Sequence, residues 1–161
     1  MGRYAYRTTQ VFRSSAARQR RRAVAQAAGG WGMSLVMVLE MESGVTVEDV
    51  ASTLSGLNPV LQGKRIIEGG LLSGSRCGYG FQVHRDPVPV RARGMRVPWR
   101  VGLTMTFHFR AAYMLDSLGQ IYQLIELFVD QHPHRFVLSF QYERIYAVRD
   151  ESGLNLVWKI S

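Results

Sequence analysis

The sequence of 161 residues lacks any apolar run long enough to cross a membrane, since a spanning helix needs about 20 consecutive apolar residues. It also lacks a secretory signal, because the apolar stretch 23–28 is too short for the hydrophobic region of a signal peptide. We therefore expect no membrane partner.

Cysteine is nearly absent from the chain. Cys77 is the single cysteine, which excludes an internal disulfide and is typical of proteins in a reducing compartment such as the cytoplasm. Its neighbours Arg76 and Gly78 leave two interpretations: a reactive thiol with a lowered pKa, or a small side chain packed on a strand. We favour the packed side chain.

Recognised patterns for metal, nucleotide and catalysis are also missing. The four histidines are too scattered for a zinc pattern. The glycines around Gly69 and Gly70 match neither a dinucleotide-binding loop nor a P-loop. No serine lies in a Gly-x-Ser-x-Gly context. We predict no metal, no cofactor and no catalytic residues, which argues against an enzyme.

Negative charge is absent from the first 32 residues, which contain seven arginines and no Asp or Glu. Residues 33–161 carry the other 13 of the 20 basic residues against 12 acidic ones, so their net charge is +1 although the whole chain has +8. We predict a basic, disordered tail over 1–32 and a single domain over 33–161.

The tail has three interpretations. Its Arg-rich, acid-free composition is typical of an organelle transit peptide. It also fits an upstream region translated from a start codon placed too early, because the apolar pattern begins at Met33. The third interpretation is a basic arm centred on Arg20-Arg21-Arg22 that contacts nucleic acid. We favour the early start codon.

Hydrophobic periodicity predicts the secondary structure of residues 33–161. A period of two predicts a strand at 35–42 that becomes half exposed at its end, a strand pair joined near 73–75, and strands at 103–109, 136–148 and 154–160. The helical period and two capping boxes predict a helix from Thr46 to Asn58-Pro59 and a longer one from Ser117. Helices separated by runs of strands predict an α+β fold: a mainly antiparallel sheet of about six strands with two helices on one face.

The segment 86–100 is the most unusual part of the domain. Its prolines exclude a helix, and apolar residues alternate with arginines on both sides of Gly94. We predict an edge hairpin whose arginines either discourage aggregation or bind carboxylates or phosphates of a partner. The predicted partner-binding residues are Arg91, Arg93, Arg96 and Arg100, with Trp99 as an apolar anchor, and Gln141 and Glu143 on the closing strands.

Three segments carry a resemblance to a known class of proteins: the strand 103–110, the helix 117–131 and the aromatic closing hairpin 136–160. With this order of elements, residues 33–161 resemble the small cytoplasmic immunity proteins of bacterial polymorphic and contact-dependent toxin systems. The resemblance implies a non-catalytic protein that binds a cognate toxin domain and occludes its active site or substrate channel. Many members that oppose nucleases are acidic, and the near-neutral charge of this domain departs from that pattern.

Two alternatives stay open. A nucleic-acid-binding or ribosome-associated module would use the basic tail and the arginines of 86–100, and its affinity would fall steeply with salt. A small-ligand-binding or enzymatic α+β domain would use a pocket between the sheet and the helices.

Overall fold

The computed structural model describes residues 34–57, 69–72 and 76–158. The strands are β1 (Ser34–Glu42), β2 (Gly70–Leu71), β3 (Gly78–Val88), β4 (Val101–Arg110), β5 (Phe136–Phe140), β6 (Arg144–Asp150) and β7 (Gly153–Leu156). The helices are α1 (Val47–Leu57) and α2 (Met114–Gln131), and a 3₁₀ turn (Ala111–Tyr113) precedes α2.

The seven described strands form one antiparallel sheet in the order β2-β3-β4-β1-β5-β6-β7. Side chains from α1 and α2 pack with one face of this sheet in a single hydrophobic cluster. The predicted α+β class and the two helices on one face are therefore confirmed.

β1 lies at the centre of the sheet, between β4 and β5. Its side chains Met37, Leu39 and Met41 are buried in the cluster beneath the helices. The two-residue period thus predicted correctly which side chains of this strand face the helices.

The capping box predicted at Thr46 is confirmed. The Thr46 hydroxyl accepts a hydrogen bond from the Asp49 N–H at 3.1 Å, and the Asp49 carboxylate accepts one from the Thr46 N–H at 2.9 Å. These two bonds satisfy backbone donors at the start of α1. The predicted end of this helix at Asn58-Pro59 lies outside the described residues.

The capping box predicted at Ser117 is wrong. Helix α2 begins three residues earlier, at Met114, and its N-cap residue Tyr113 makes no side-chain capping bond. Ser117 is fully buried inside the helix. The helix starts early because the 3₁₀ turn leads the chain directly from β4 into α2.

The single strand predicted over 136–148 is divided by a turn, which gives seven strands rather than about six. Gln141 and Tyr142 have φ values of 51° and 63°, and the Glu143 N–H donates to the Phe140 carbonyl at 2.9 Å. Two consecutive positive φ values are typical of a type I′ hairpin turn. The sequence did not predict this turn, because no glycine lies in it and the alternation of apolar residues continues through it.

The edge hairpin predicted within 86–100 is also wrong. β3 extends to Val88 and β4 starts at Val101, so residues 89–100 are the connection between two paired strands. This connection returns over the sheet face opposite the helices, where Ala92 and Trp99 join Val101 and Val137 in a second hydrophobic cluster. Burial of these apolar side chains on the sheet explains why the segment does not form an edge.

The predicted strand pair around Cys77 is confirmed by the pairing of β2 with β3 and by a 2.8 Å bond from the Leu72 N–H to the Cys77 carbonyl. The side chain of Cys77 is fully buried, and this burial raises the pKa of its thiol to about 12. Cys77 is therefore a packed side chain rather than a reactive thiol. The predicted joint at 73–75 lies outside the described residues.

The predicted basic tail over 1–32 lies outside the described residues too. Among the helices that the structure does describe, none is both long and apolar enough to span a membrane.

A charged clamp ties β1 to the start of β5. The Glu42 carboxylate accepts the Arg135 backbone N–H at 2.7 Å and the Arg135 guanidinium at 2.9 and 2.8 Å. Partial burial alone would raise the pKa of Glu42, but the bonds from Arg135 outweigh it and lower that pKa. The ionised carboxylate therefore stabilises the fold.

We expect Glu42→Gln to destabilise the protein at neutral pH, and this effect to shrink at low pH. Because the folded pKa of Glu42 lies below its ordinary value of 4.5, its contribution is present above that value and is lost as the pH falls through the folded pKa. Urea unfolding of both proteins between neutral and strongly acidic pH measures the difference, with Glu126→Gln on the exposed face of α2 as control. A difference that stays constant over this range would contradict the prediction.

Gly102 provides a test of the close approach between the start of β4 and the end of β1. A Cβ atom at this position would lie 2.8 Å from the backbone Cα of Ser43. We expect Gly102→Ala to lower the free energy of unfolding by about 1–3 kcal/mol, because the backbone must shift. Gly119→Ala, inside α2 with no atom within 4 Å, should instead stabilise the protein by about 0.5–1 kcal/mol. Equal effects of the two substitutions in urea unfolding would contradict this close approach.

Candidate functional site

The connection 89–100, here called the arginine loop, is held to the sheet by a buried carboxylate. Glu40 is only 1% exposed. One of its oxygens accepts the Arg91 N–H at 2.8 Å, and the other accepts the Ala92 N–H at 3.1 Å. Both carboxylate oxygens are therefore engaged by the backbone of the loop.

The cost of burying the Glu40 carboxylate is offset only in part. Burial raises its pKa, while the two backbone hydrogen bonds and the nearby Arg91 guanidinium lower it in part. A buried carboxylate is tolerated only with such partners. The prediction that the end of β1 is half exposed is wrong at Glu40, because the arginine loop covers this residue.

A second attachment joins the arginine loop to the turn between β5 and β6. The Arg93 N–H donates to the Tyr142 carbonyl at 2.6 Å. Burial and the negative charge of Glu40 raise the pKa of the Tyr142 phenol, and the nearby Arg91 guanidinium lowers it in part. This contact brings the predicted residues Gln141 and Glu143 next to the loop that carries the arginines.

A third polar contact lies on the same face of the sheet. The His84 ring nitrogen Nε2 is 2.9 Å from the Thr104 hydroxyl. Burial lowers the pKa of His84, and the positive charge of Arg91 lowers it further. His84, Glu40 and Tyr142 therefore all lie in the electrostatic field of Arg91.

The four arginine side chains of the loop are accessible to solvent. Arg91, Arg93, Arg96 and Arg100 are all exposed. Within the described ranges none of them forms an ion pair with an acidic side chain. The Arg100 guanidinium donates to the Pro87 carbonyl at 3.3 Å, which fixes it beside the end of β3. The surface is therefore cationic, and its backbone is fixed.

Trp99 does not project from this surface. Its side chain is 8% exposed and packs with Val101 and Val137 in the second cluster. The prediction that it serves as an exposed apolar anchor therefore needs correction: the ring anchors the loop to the sheet instead. The sequence suggested an exposed ring because the predicted edge hairpin would have left Trp99 on its solvent-facing side.

Several residues that build the site were missed from the sequence: Glu40, His84, Thr104 and Tyr142. One signal was present, because Glu40 occupies the same strand face as Val36 and Val38 and is an acid at an otherwise apolar position. For His84 and Tyr142 the sequence carried no comparable signal.

The described residues hold no group of three or more His, Cys, Asp or Glu side chains placed to bind a metal ion. Among the polar residues on this face of the sheet, the Glu40 oxygens are occupied by backbone donors, and the His84 nitrogen Nε2 lies 2.9 Å from the Thr104 hydroxyl. Glu40 therefore holds the loop in place, and the exposed guanidinium groups are the ones available to a ligand.

Comparison with known proteins adds no relative, since the chain matches no protein-family model, no curated protein and no solved structure.

We expect Glu40→Gln to loosen the arginine loop while preserving the side-chain shape. An amide in place of the carboxylate presents an N–H group where a backbone N–H needs an acceptor. This should lower the free energy of unfolding by about 1–3 kcal/mol and accelerate hydrogen exchange of the Arg91 and Ala92 amides. Glu126→Gln is the control for removal of one carboxylate. Unchanged exchange of these two amides would contradict the role of Glu40.

Proposed function

We propose that this protein is a non-catalytic binding protein whose contact surface is the arginine loop with the adjacent turn, and that it neutralises a cognate toxin domain as an immunity protein. In this proposal the protein acts in the bacterial cytoplasm. It binds its partner through the residues predicted from the sequence, except that Trp99 supports the surface from below.

The observation that carries the proposal is the double hydrogen bond from the loop backbone to Glu40. A flexible loop loses conformational entropy on binding, and this loss weakens affinity. A loop already fixed by Glu40, by Tyr142 and by the buried ring of Trp99 loses less. This pre-organisation supports a role in recognition.

The exposed guanidinium groups indicate the chemistry of the partner. Four arginines without an ion-pair partner among the described residues are complementary to an acidic surface. Guanidinium groups bind carboxylates with two parallel hydrogen bonds. An acidic patch at the active site or substrate channel of a toxin would satisfy them, and the protein would then block that channel.

The adjacent turn adds an amide group and a carboxylate to the cationic surface. Gln141 and Glu143 are exposed beside the loop, and Glu143 places a negative charge next to the arginines. Mixed charge at a rim chiefly affects association rate and selectivity. It would disfavour a uniformly anionic ligand and favour a protein surface that carries both signs.

The nucleic-acid alternative receives less support from the loop. Proteins that bind single strands stack bases on exposed aromatic rings. In the arginine loop the one aromatic ring, Trp99, is turned into the sheet. A loop that offers charge without a stacking surface fits a protein partner better.

The test is affinity capture from the native host with the full chain, with and without nuclease treatment, followed by affinity measurements on the captured protein. We expect one toxin-like protein to survive nuclease treatment, and co-expression of this chain to restore growth of cells that produce it. The variant Arg91→Ser/Arg93→Ser/Arg96→Ser/Arg100→Ser should bind at least about tenfold more weakly, because each lost charge-assisted hydrogen bond costs about 1.5–3 kcal/mol.

The control variant is Arg76→Ser/Arg110→Ser, which removes exposed charge at the far end of the β3–β4 hairpin. It should keep wild-type affinity and protection. Loss of all partners after nuclease treatment would contradict the immunity function. Unchanged affinity of the four-arginine variant would contradict the contact surface.

A further inference from the structure

An open groove lies within the arginine loop. Its volume is about 360 Å³, at the lower end of the range of ligand pockets. Apolar and cationic side chains line it together: Val90, Met95, Val97 and Trp99 with Arg96 and Arg100. A groove of this size accepts one or two side chains rather than a whole cofactor.

The apolar lining of the groove is accessible. Val90, Met95 and Val97 are partly exposed, although they pack against the second cluster. Trp99 lies among them and is held by Val101 and Val137. An apolar side chain of a ligand would therefore find a fixed apolar surface and would release water on binding.

The charged rim of the groove is also available. Arg96 and Arg100 are exposed, and in the described part of the chain neither has an acidic partner within ion-pair distance. The bond from Arg100 to the Pro87 carbonyl uses one of its five N–H donors. The remaining donors of both residues can hold carboxylates at the edge of the apolar surface.

We propose that this groove binds a protein segment in which an apolar side chain is flanked by carboxylates. The apolar side chain enters between Met95 and Val97, and the carboxylates pair with Arg96 and Arg100. The inference rests on the proposed function and adds the kind of sequence that the partner presents. Charge complementarity selects an acidic segment, and the aliphatic lining selects one with an apolar residue at its centre.

A nucleic acid fits this groove less well. Phosphates would satisfy the arginines, but Val90, Met95 and Val97 offer no ring on which a base could stack. The apolar lining would then cover only sugar and phosphate groups, and its burial would contribute little. A single-stranded oligonucleotide is therefore the competing ligand in the test.

The test is a titration of the isotope-labelled full chain with short capped peptides. Binding is monitored through the NMR signals of the loop amides and of the Trp99 indole N–H. A peptide with the centre Glu-Leu-Glu should shift these signals with saturation. Peptides with the centres Gln-Leu-Gln and Glu-Ser-Glu should each bind at least about fivefold more weakly, because one lacks the charges and the other the apolar group.

Two matched variants locate the binding. Arg96→Ser/Arg100→Ser should weaken binding of the Glu-Leu-Glu peptide at least about tenfold. Arg76→Ser/Arg110→Ser removes the same charge elsewhere and should change it less than about twofold. The amide signals of Arg91 and Ala92 report whether each variant keeps the loop in place.

Three results would overturn the inference: no shift of the loop signals with the Glu-Leu-Glu peptide, equal binding of all three peptides, or tighter binding of the oligonucleotide at the same residues.

These results differ from a failure of the proposed function. If the captured toxin still depends on the four arginines while the peptides do not bind, the contact surface stands and the groove is not its centre. If the peptides bind as expected but no toxin is captured, the groove stands and the immunity function fails.

Discussion

A carboxylate can be buried in a protein only if hydrogen bonds and nearby charges replace the water that it loses. Glu40 meets this condition through the backbone N–H groups of Arg91 and Ala92. The same two bonds fix the path of the chain between β3 and β4. The burial of Trp99, the contact of Arg93 with Tyr142 and the exposure of the arginines accompany this path. One acidic residue on the central strand therefore determines the shape of the surface that we propose for binding.

The two faces of the sheet differ in how they are covered. Helices α1 and α2 cover one face with apolar side chains, and their backbone bonds are largely satisfied within each helix. On the other face an irregular loop does the covering, and its backbone donors need partners outside the loop. Glu40 and the Tyr142 carbonyl supply three of these partners. This explains why an acidic residue, Glu40, occupies a buried position on the central strand β1.

Glu40 and Glu42 show how environment changes the behaviour of one residue type. They lie two residues apart on β1, yet the pKa of Glu40 is raised and that of Glu42 is lowered. Burial dominates at Glu40, whose donors are neutral backbone groups. At Glu42 a guanidinium forms two further bonds, and these outweigh the effect of burial. The sequence alternation around both residues is the same, so it could not distinguish them.

The sequence alone determined the elements whose signal is local. The periodicity of β1, β4 and α2, the capping box at Thr46 and the pairing of β2 with β3 were predictable, because each depends on residues close in the chain. The exposure of the arginines was expected as well, whereas Gln141 and Glu143 were expected on a strand and lie in a turn. Only the tertiary structure decided where residues 89–100 go, because their burial depends on Val101, Val137 and Glu40 from other strands. The division of 136–148 at Gln141 and Tyr142 was likewise decided at a distance, since the Tyr142 carbonyl is held by Arg93 and the Gln141 N–H by the Val36 carbonyl. Local patterns report which side of an element is apolar, whereas the partner that covers that side is chosen by long-range contacts that no short stretch of sequence contains.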